Sequence, residues 1–402
     1  METHRGGSES LKGTAGLDKQ AAGLSDEAGT SKPPVTASTS NTAASPALSA
    51  SSTLSPILSA ASVRSSPATS VDYHAPKPPA TSVTADYYAA SSPGRQVGLF
   101  AARPLKRGER ILCEAPLFTV NSLVDLPSAV SSLFSKSCDT FYELSNAYED
   151  DPDTAIEAGL FFTNAFALSS STRLTTSASP PPASSFSVPL YGIFPTSARI
   201  NHSCRPNVET SYSPSLGRLV VHVLRPIPAH EELFTSYLGR SDLYGLDTAA
   251  RQLRLLKNWA FACSCTLCSS SVNEREVSDA RRRELGRLRL SLPGLRPSNV
   301  EKTLRDCARA LDLLDADSLF LASGSDFCLP AARACAWHQD YKSARFWAEL
   351  GWKSAREELG EESEVAREME KAMRGPRGLL PSGARGEKMD LLELTRELLA
   401  KR

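Results

Sequence analysis

Three cysteines fall within six residues, Cys263-Ser264-Cys265-Thr266-Leu267-Cys268, and no other stretch limits the possible folds so sharply. Thiolates at that spacing suit a single zinc ion, and structural zinc sites take four tetrahedral ligands. Three local ligands ask for a remote fourth, so a segment distant in sequence must fold back onto this one. Cys204 is the candidate, inside Arg199-Ile200-Asn201-His202-Ser203-Cys204-Arg205-Pro206-Asn207. The asparagines and proline there point to a tight loop with main-chain groups exposed for recognition. The competing view, three unrelated small core residues, fits poorly with such clustering when the chain holds nine cysteines. Cys113, Cys138, Cys307, Cys328 and Cys335 read as ordinary core or surface positions.

An odd, mostly scattered set of cysteines argues against a disulfide framework and for a reducing compartment. Lys+Arg and Asp+Glu both number 45, so no global basic field draws the chain to nucleic acid or to an anionic membrane. No apolar run reaches the roughly 18 residues of a spanning helix. The start, Met1-Glu2-Thr3-His4-Arg5, lacks the apolar centre of a secretory signal, and its acidic residues do not suit an organellar transit peptide. The expected location is nucleus, cytoplasm or both.

Along its 402 residues the chain changes character several times. Residues 1–91 are rich in Ser, Thr, Ala and Pro, with no sustained apolar period, and are expected to be a disordered tail. Val97–Ala101 and Arg110–Glu114 read as strands joined by a glycine-bearing turn, a hairpin. Within an insert at about 121–168, Leu126–Leu144 and Thr154–Leu168 carry helical spacing. Residues 169–187 read as a polar loop. Arg218–Leu224 and Glu232–Leu238 read as strands, the second with Leu233, Thr235 and Tyr237 on one face. Residues 247–258 read as a helix leading into the cysteines. From Ser271 onward the pattern is helical: Val300, Leu304, Ala308, Leu311 and Leu314 share a face, and Gly360 is placed to cap Tyr341–Leu359.

Taken singly, most polar residues near the cysteines have plain explanations. A strand tyrosine such as Tyr237 is ordinarily half-buried with its hydroxyl on a carbonyl. His222 and His230 read as structural. Arg281, Arg282, Arg283, Arg287 and Arg289 read as a solvated helix face.

In combination and in order, these pieces resemble the SET-domain protein lysine methyltransferases. The resemblance rests on Gly98-Leu99-Phe100, then Asn201-His202-Ser203-Cys204-x-Pro206-Asn207, then Glu231-Glu232-Leu233-x-x-Ser236-Tyr237, then Cys263-x-Cys265-x-x-Cys268. The split layout, with Thr163-Asn164-Ala165-Phe166 and a helical C-terminal region, is similar to the SET-and-MYND subfamily and its fungal-type relatives. It covers about residues 92–268 and, more loosely, the helices beyond. Departures are His230 in place of a glycine before the paired glutamates, Trp259 where relatives carry a channel tyrosine, and no MYND finger.

The resemblance implies an α+β architecture. A β-rich SET domain with its insert would span 92–240, a post-SET zinc segment 241–270, and an α-helical C-terminal region 271–402. It implies S-adenosylmethionine as methyl donor and a structural Zn2+ on Cys204, Cys263, Cys265 and Cys268. Arg95, Gly98, Leu99 and Phe100 would supply main-chain contacts to the donor. Asn164 and Asn201 would hold its amino-acid portion, with His202 contributing its main chain and Phe261 stacking on the adenine. Tyr237 would be the active-site tyrosine. The implied partner is a protein with a target lysine, histone or otherwise, with no nucleic-acid or membrane partner. A catalytically inactive SET-fold adaptor is the alternative, and a zinc-based nucleic-acid module a weaker third.

Overall fold

A computed structural model describes residues 85–168, 190–292, 299–319, 324–400 and 402. The expected tail up to residue 84 and the 169–187 loop lie outside the described residues. Strand β1, Tyr87–Ser92, begins ahead of the boundary expected at 92 and pairs antiparallel with β2, Gln96–Ala101. Its Tyr88 ring is fully buried against Phe100, so sheet and core start together.

This pairing corrects the expected hairpin. After the turn at Gly108, β3, Arg110–Glu114, does not return to β2. The edge of β2 is already taken by β1, a partner hidden in a segment that looks like tail. Strand β4, Phe118–Val120, leads into the insert, with helices α1, Leu126–Ser131, α2, Ser135–Tyr142, and α3, Ile156–Asn164. The two long helices expected here are thus shorter. Leu126–Leu144 is interrupted around Leu133, and α3 stops at Asn164 because Ala165–Ala167 form β5, paired with β6, Tyr191–Ile193.

Strand β7, Asn201–His202, is followed by β8, Val208–Ser213, and β9, Arg218–Val223; β9 runs between β3 and β8. The strand expected over 232–238 shrinks to β10, Phe234–Thr235, parallel to β7. Leu99, Ile200, Val208, Val221, Val223 and Leu233 close this β core.

Then come α4, Arg240–Gly245, α5, Thr248–Trp259, α6, Val272–Ser291, α7, Val300–Ala316, and α8, Gly324–Trp337. The chain ends with α9, Tyr341–Leu359, α10, Glu364–Arg374, and α11, Leu392–Leu399. Several starts are set by side-chain caps: Asp247 accepts from Ala250 N–H, Asn299 from Lys302 N–H, and Ser271 forms a capping box with Glu274. Each such cap is worth ~1 kcal/mol. The stripe expected on α7 is buried along its whole length. Gly360 does cap α9, at φ +88°, where a Cβ would be strained.

The helices do not form a core of their own. Cys204, Leu238, Cys263, Cys265 and Leu267 belong to the same buried cluster as Leu304, Leu311, Phe327 and Trp347. The cysteine segment and the C-terminal helices are one packing unit. No helix among the described residues is long and apolar enough to cross a membrane.

Candidate active site and metal centre

The thiols of Cys204, Cys263, Cys265 and Cys268 converge, all four sulfurs within 4.8 Å of one another. Sulfurs at about 2.3 Å from a tetrahedral zinc stand about 3.8 Å apart. Cys204 Sγ and Cys268 Sγ are 3.7 Å apart, so the donor set is compatible with zinc. The thiols share hydrogen bonds, which hold Cys204 and Cys265 below the ordinary thiol pKa and push Cys263 and Cys268 above it. The cysteine segment is shaped by α5, which ends in left-handed Ala260 at φ +53°, and by Gln252, which exchanges hydrogen bonds with both main-chain groups of Cys263 at 2.7 Å.

Behind the thiols stand two fully buried arginines. Arg282 donates to Cys204 O at 2.8 Å, to Leu243 O at 2.8 Å and to Asp317 Oδ2 at 2.6 Å. Arg205 reaches Asp317 from the other side at 3.0 Å. Arg251 pairs with Asp279 at 3.2 Å. The expectation of a solvated arginine face therefore fails at Arg282. Its periodic position on α6 faces α7 and the cysteine loop, where desolvation is offset by an aspartate and two carbonyls.

The loop of Cys204 also reaches Tyr237. Parallel pairing of β7 with β10 sets Phe234 beside Asn201 and Thr235 beside His202. Asn207 continues that pairing with its side chain, donating to Glu232 O and accepting from Phe234 N–H. Tyr237 then lies against His202, Trp259 and Phe261, with ring centroids 5.4, 5.4 and 6.2 Å away. Its hydroxyl donates to Ile200 O at 3.1 Å. Burial, reinforced by the nearby Glu232 carboxylate, raises the phenol pKa, so Tyr237 is protonated at neutral pH.

The other face of the loop meets β2. Asn201 donates to Glu232 Oε1 at 2.8 Å and to Val97 O at 3.3 Å. Glu232 also accepts from Ser92 Oγ at 2.9 Å. Gly98 is needed for this approach, since a Cβ would sit 2.4 Å from Glu232 Oε1. Leu99 and Phe100 are buried as whole residues in the β core and its margin, and Leu99 O accepts from Leu233 N–H. Arg95 reaches across to Ser264 Oγ at 3.0 Å, with its guanidinium 5.4 Å from the Phe234 ring centroid. Asn164 donates to Ser145 O and Leu160 O inside the insert.

Asn201, His202, Cys204, Tyr237, Phe261 and the three clustered cysteines thus occupy one neighbourhood. Gly98 and Arg95 lie on its β2 side, while Asn164 sits at the end of α3. Glu232 and Asn207, plain motif positions in the sequence, and Arg282, expected on a solvated face, emerge as structural holders of the site only from their buried hydrogen bonds.

Residues 96–238 match the family model described as the SET domain. Histone-lysine N-methyltransferase set5 of Schizosaccharomyces pombe is 28% identical over 293 residues, covering 72% of this chain and 84% of that protein. Histone-lysine N-methyltransferase SET5 of Meyerozyma guilliermondii is 36% identical over 121 residues, 30% of this chain and 23% of its own length. N-lysine methyltransferase SMYD2 of Gallus gallus is 37% identical over 90 residues, 22% and 19% of the two chains.

Proposed function

We propose that this chain, which carries a SET domain over residues 96–238, is a protein-lysine N-methyltransferase that uses S-adenosylmethionine. The observation that carries the reading is that Asn201, Tyr237 and four convergent thiols gather around one loop. The Tyr237 hydroxyl donates to Ile200 O of that loop at 3.1 Å. Three relatives with lysine methyltransferase in their names support it.

When bound, S-adenosylmethionine supplies a sulfonium methyl, an electrophile for in-line displacement by an amine. Asn201 and Asn164 would hold its amino-acid portion. Each has both amide N–H groups engaged, on Val97 O and Glu232 Oε1 or on Ser145 O and Leu160 O. That leaves the carbonyl oxygen of each to accept from an ammonium. Main chain of Arg95, Gly98, Leu99, Phe100 and His202 would complete the contacts, and Phe261 would stack on the adenine. Free lysine has a pKa of about 10.4 and must lose its proton to attack. An amine brought against the packed rings of Tyr237 and Trp259 would lose hydration, which disfavours its charged form. Tyr237 orients the nucleophile rather than taking its proton, so the rate comes from positioning and electrostatics. A zinc held by Cys204, Cys263, Cys265 and Cys268 would be structural. Histones are the first substrates to test, given the names of the fungal relatives, and nuclear residence follows from that reading.

The test is transfer of labelled methyl from S-adenosylmethionine to histones and to whole-cell extract. Tyr237→Phe should lower turnover by about 100-fold or more while calorimetric affinity for the donor survives. Wild-type protein that binds no S-adenosylmethionine would end the enzyme reading and favour the adaptor.

A further inference from the structure

His202 has two ring nitrogens, and both are engaged in a place water does not reach: the residue is only 2% exposed. Tyr237 N–H points at Nδ1 from 3.0 Å. A main-chain N–H donates, so Nδ1 must accept and carries no proton. The proton of the neutral ring is then on Nε2, which lies 3.5 Å from Cys204 Sγ. An imidazole in this tautomer donates to the sulfur of a metal ligand and accepts from the amide of the active-site tyrosine.

We propose that the His202 imidazole is a positioning residue that couples the metal centre to Tyr237. This rests on the zinc and methyltransferase readings above. A divalent cation on four thiolates leaves a net negative centre, and an N–H donated to one sulfur draws charge from it. On the far side of the ring, Tyr237 is tied to the same loop twice, by its amide to Nδ1 and by its hydroxyl to Ile200 O. Ser203 N–H adds a third tie to Thr235 O at 2.9 Å. Placement of Cys204 by the metal thus sets the ring, and the ring sets the phenol. A histidine that merely filled the core would show no separable response of its two ends.

The experiment uses the full chain with cobalt(II) in place of zinc, as wild type, His202→Asn and His202→Gln. Asparagine sets its oxygen near the Nδ1 position and drops the donor to sulfur. Glutamine sets its amide nitrogen near Nε2 and drops the acceptor for Tyr237. His202→Asn should move the thiolate-to-cobalt charge-transfer band to lower energy, and His202→Gln should leave it in place. His202→Gln should lose about 10- to 100-fold in turnover, falling on kcat more than KM, and more than His202→Asn loses. An unmoved band in both variants, or equal kinetic losses, would overturn the proposal. Nitrogen-15 spectra of wild type give an answer without relying on either variant folding: His202 should be bare at Nδ1 and protonated at Nε2, and the reverse tautomer would refute the bridge. Wild type that takes up no cobalt would refute the zinc reading and this one together. Wild type that binds cobalt but transfers no methyl would refute the enzyme reading alone, with band and tautomer still deciding whether the ring bridges.

Discussion

The β side and the helical side of Tyr237 are held by different forces. On the β side the ties are mostly main-chain hydrogen bonds, such as Leu233 N–H to Leu99 O at 2.7 Å and Ala101 N–H to Glu231 O at 2.9 Å. On the helical side they are buried charges: Arg282 with Asp317, Arg251 with Asp279, and the four thiols. Main-chain pairing depends little on side-chain identity, whereas a buried ion stripped of its partner is costly. The helical side should therefore fail abruptly, and the β side by degrees.

The largest effect should follow loss of metal. Purified protein is expected to hold about one zinc per chain. Chelation or Cys204→Ser should strip it and lower the melting temperature, with the cysteine segment and its neighbouring helices becoming protease-sensitive first. Metal content and proteolysis measure this, and retained zinc in Cys204→Ser would remove that residue from the ligand set. Next comes Arg282→Met, which leaves Asp317 only Arg205 and Ser278, takes the Arg282 donors from two carbonyls, and should cost about 3–5 kcal/mol in urea unfolding. Adding Asp317→Leu should recover part of that loss. No recovery would mean that the carbonyl contacts, not the ion pair, dominate.

On the β side, His222 offers a graded test. Burial, opposed by Glu362 and aided by Arg110, lowers its pKa from 6.5 to about 4. The unfolded chain then binds the proton more readily than the native one. The contribution of His222 is fully present above pH 6.5 and is lost as pH falls towards 4, by up to about 3 kcal/mol. His222→Gln should flatten that slope in pH-dependent unfolding. The smallest effect is Gly98→Ala, where the new methyl must push Glu232 aside, at a cost of about 1–3 kcal/mol. Donor affinity should fall with it, through Asn201, and unchanged calorimetry would separate Asn201 from the cofactor.

Legibility followed sequence distance. The α7 stripe, the Gly360 cap and the 247–258 helix were readable because each is a matter of neighbours within a few residues. The cysteine cluster was readable because thiol chemistry is specific. The hairpin expected at 97–114 failed because β-pairing is set by partners far away, and Tyr87–Ser92 looks like tail until Tyr88 is seen under Phe100. The expected 232–238 strand failed for a related reason: past Thr235 the Tyr237 N–H goes to the His202 side chain rather than to another strand.

Which residues can bind a metal, start a helix or orient an amine is written in their covalent chemistry and local spacing. Which of them do so depends on desolvation and on partners brought together by folding. Cys204 was nameable as a fourth ligand from the chain alone. That its neighbour His202 turns one nitrogen to that sulfur and the other to Tyr237, or that Arg282 is wholly buried beside it, is a property of the packed core, where every polar atom removed from water must find a partner.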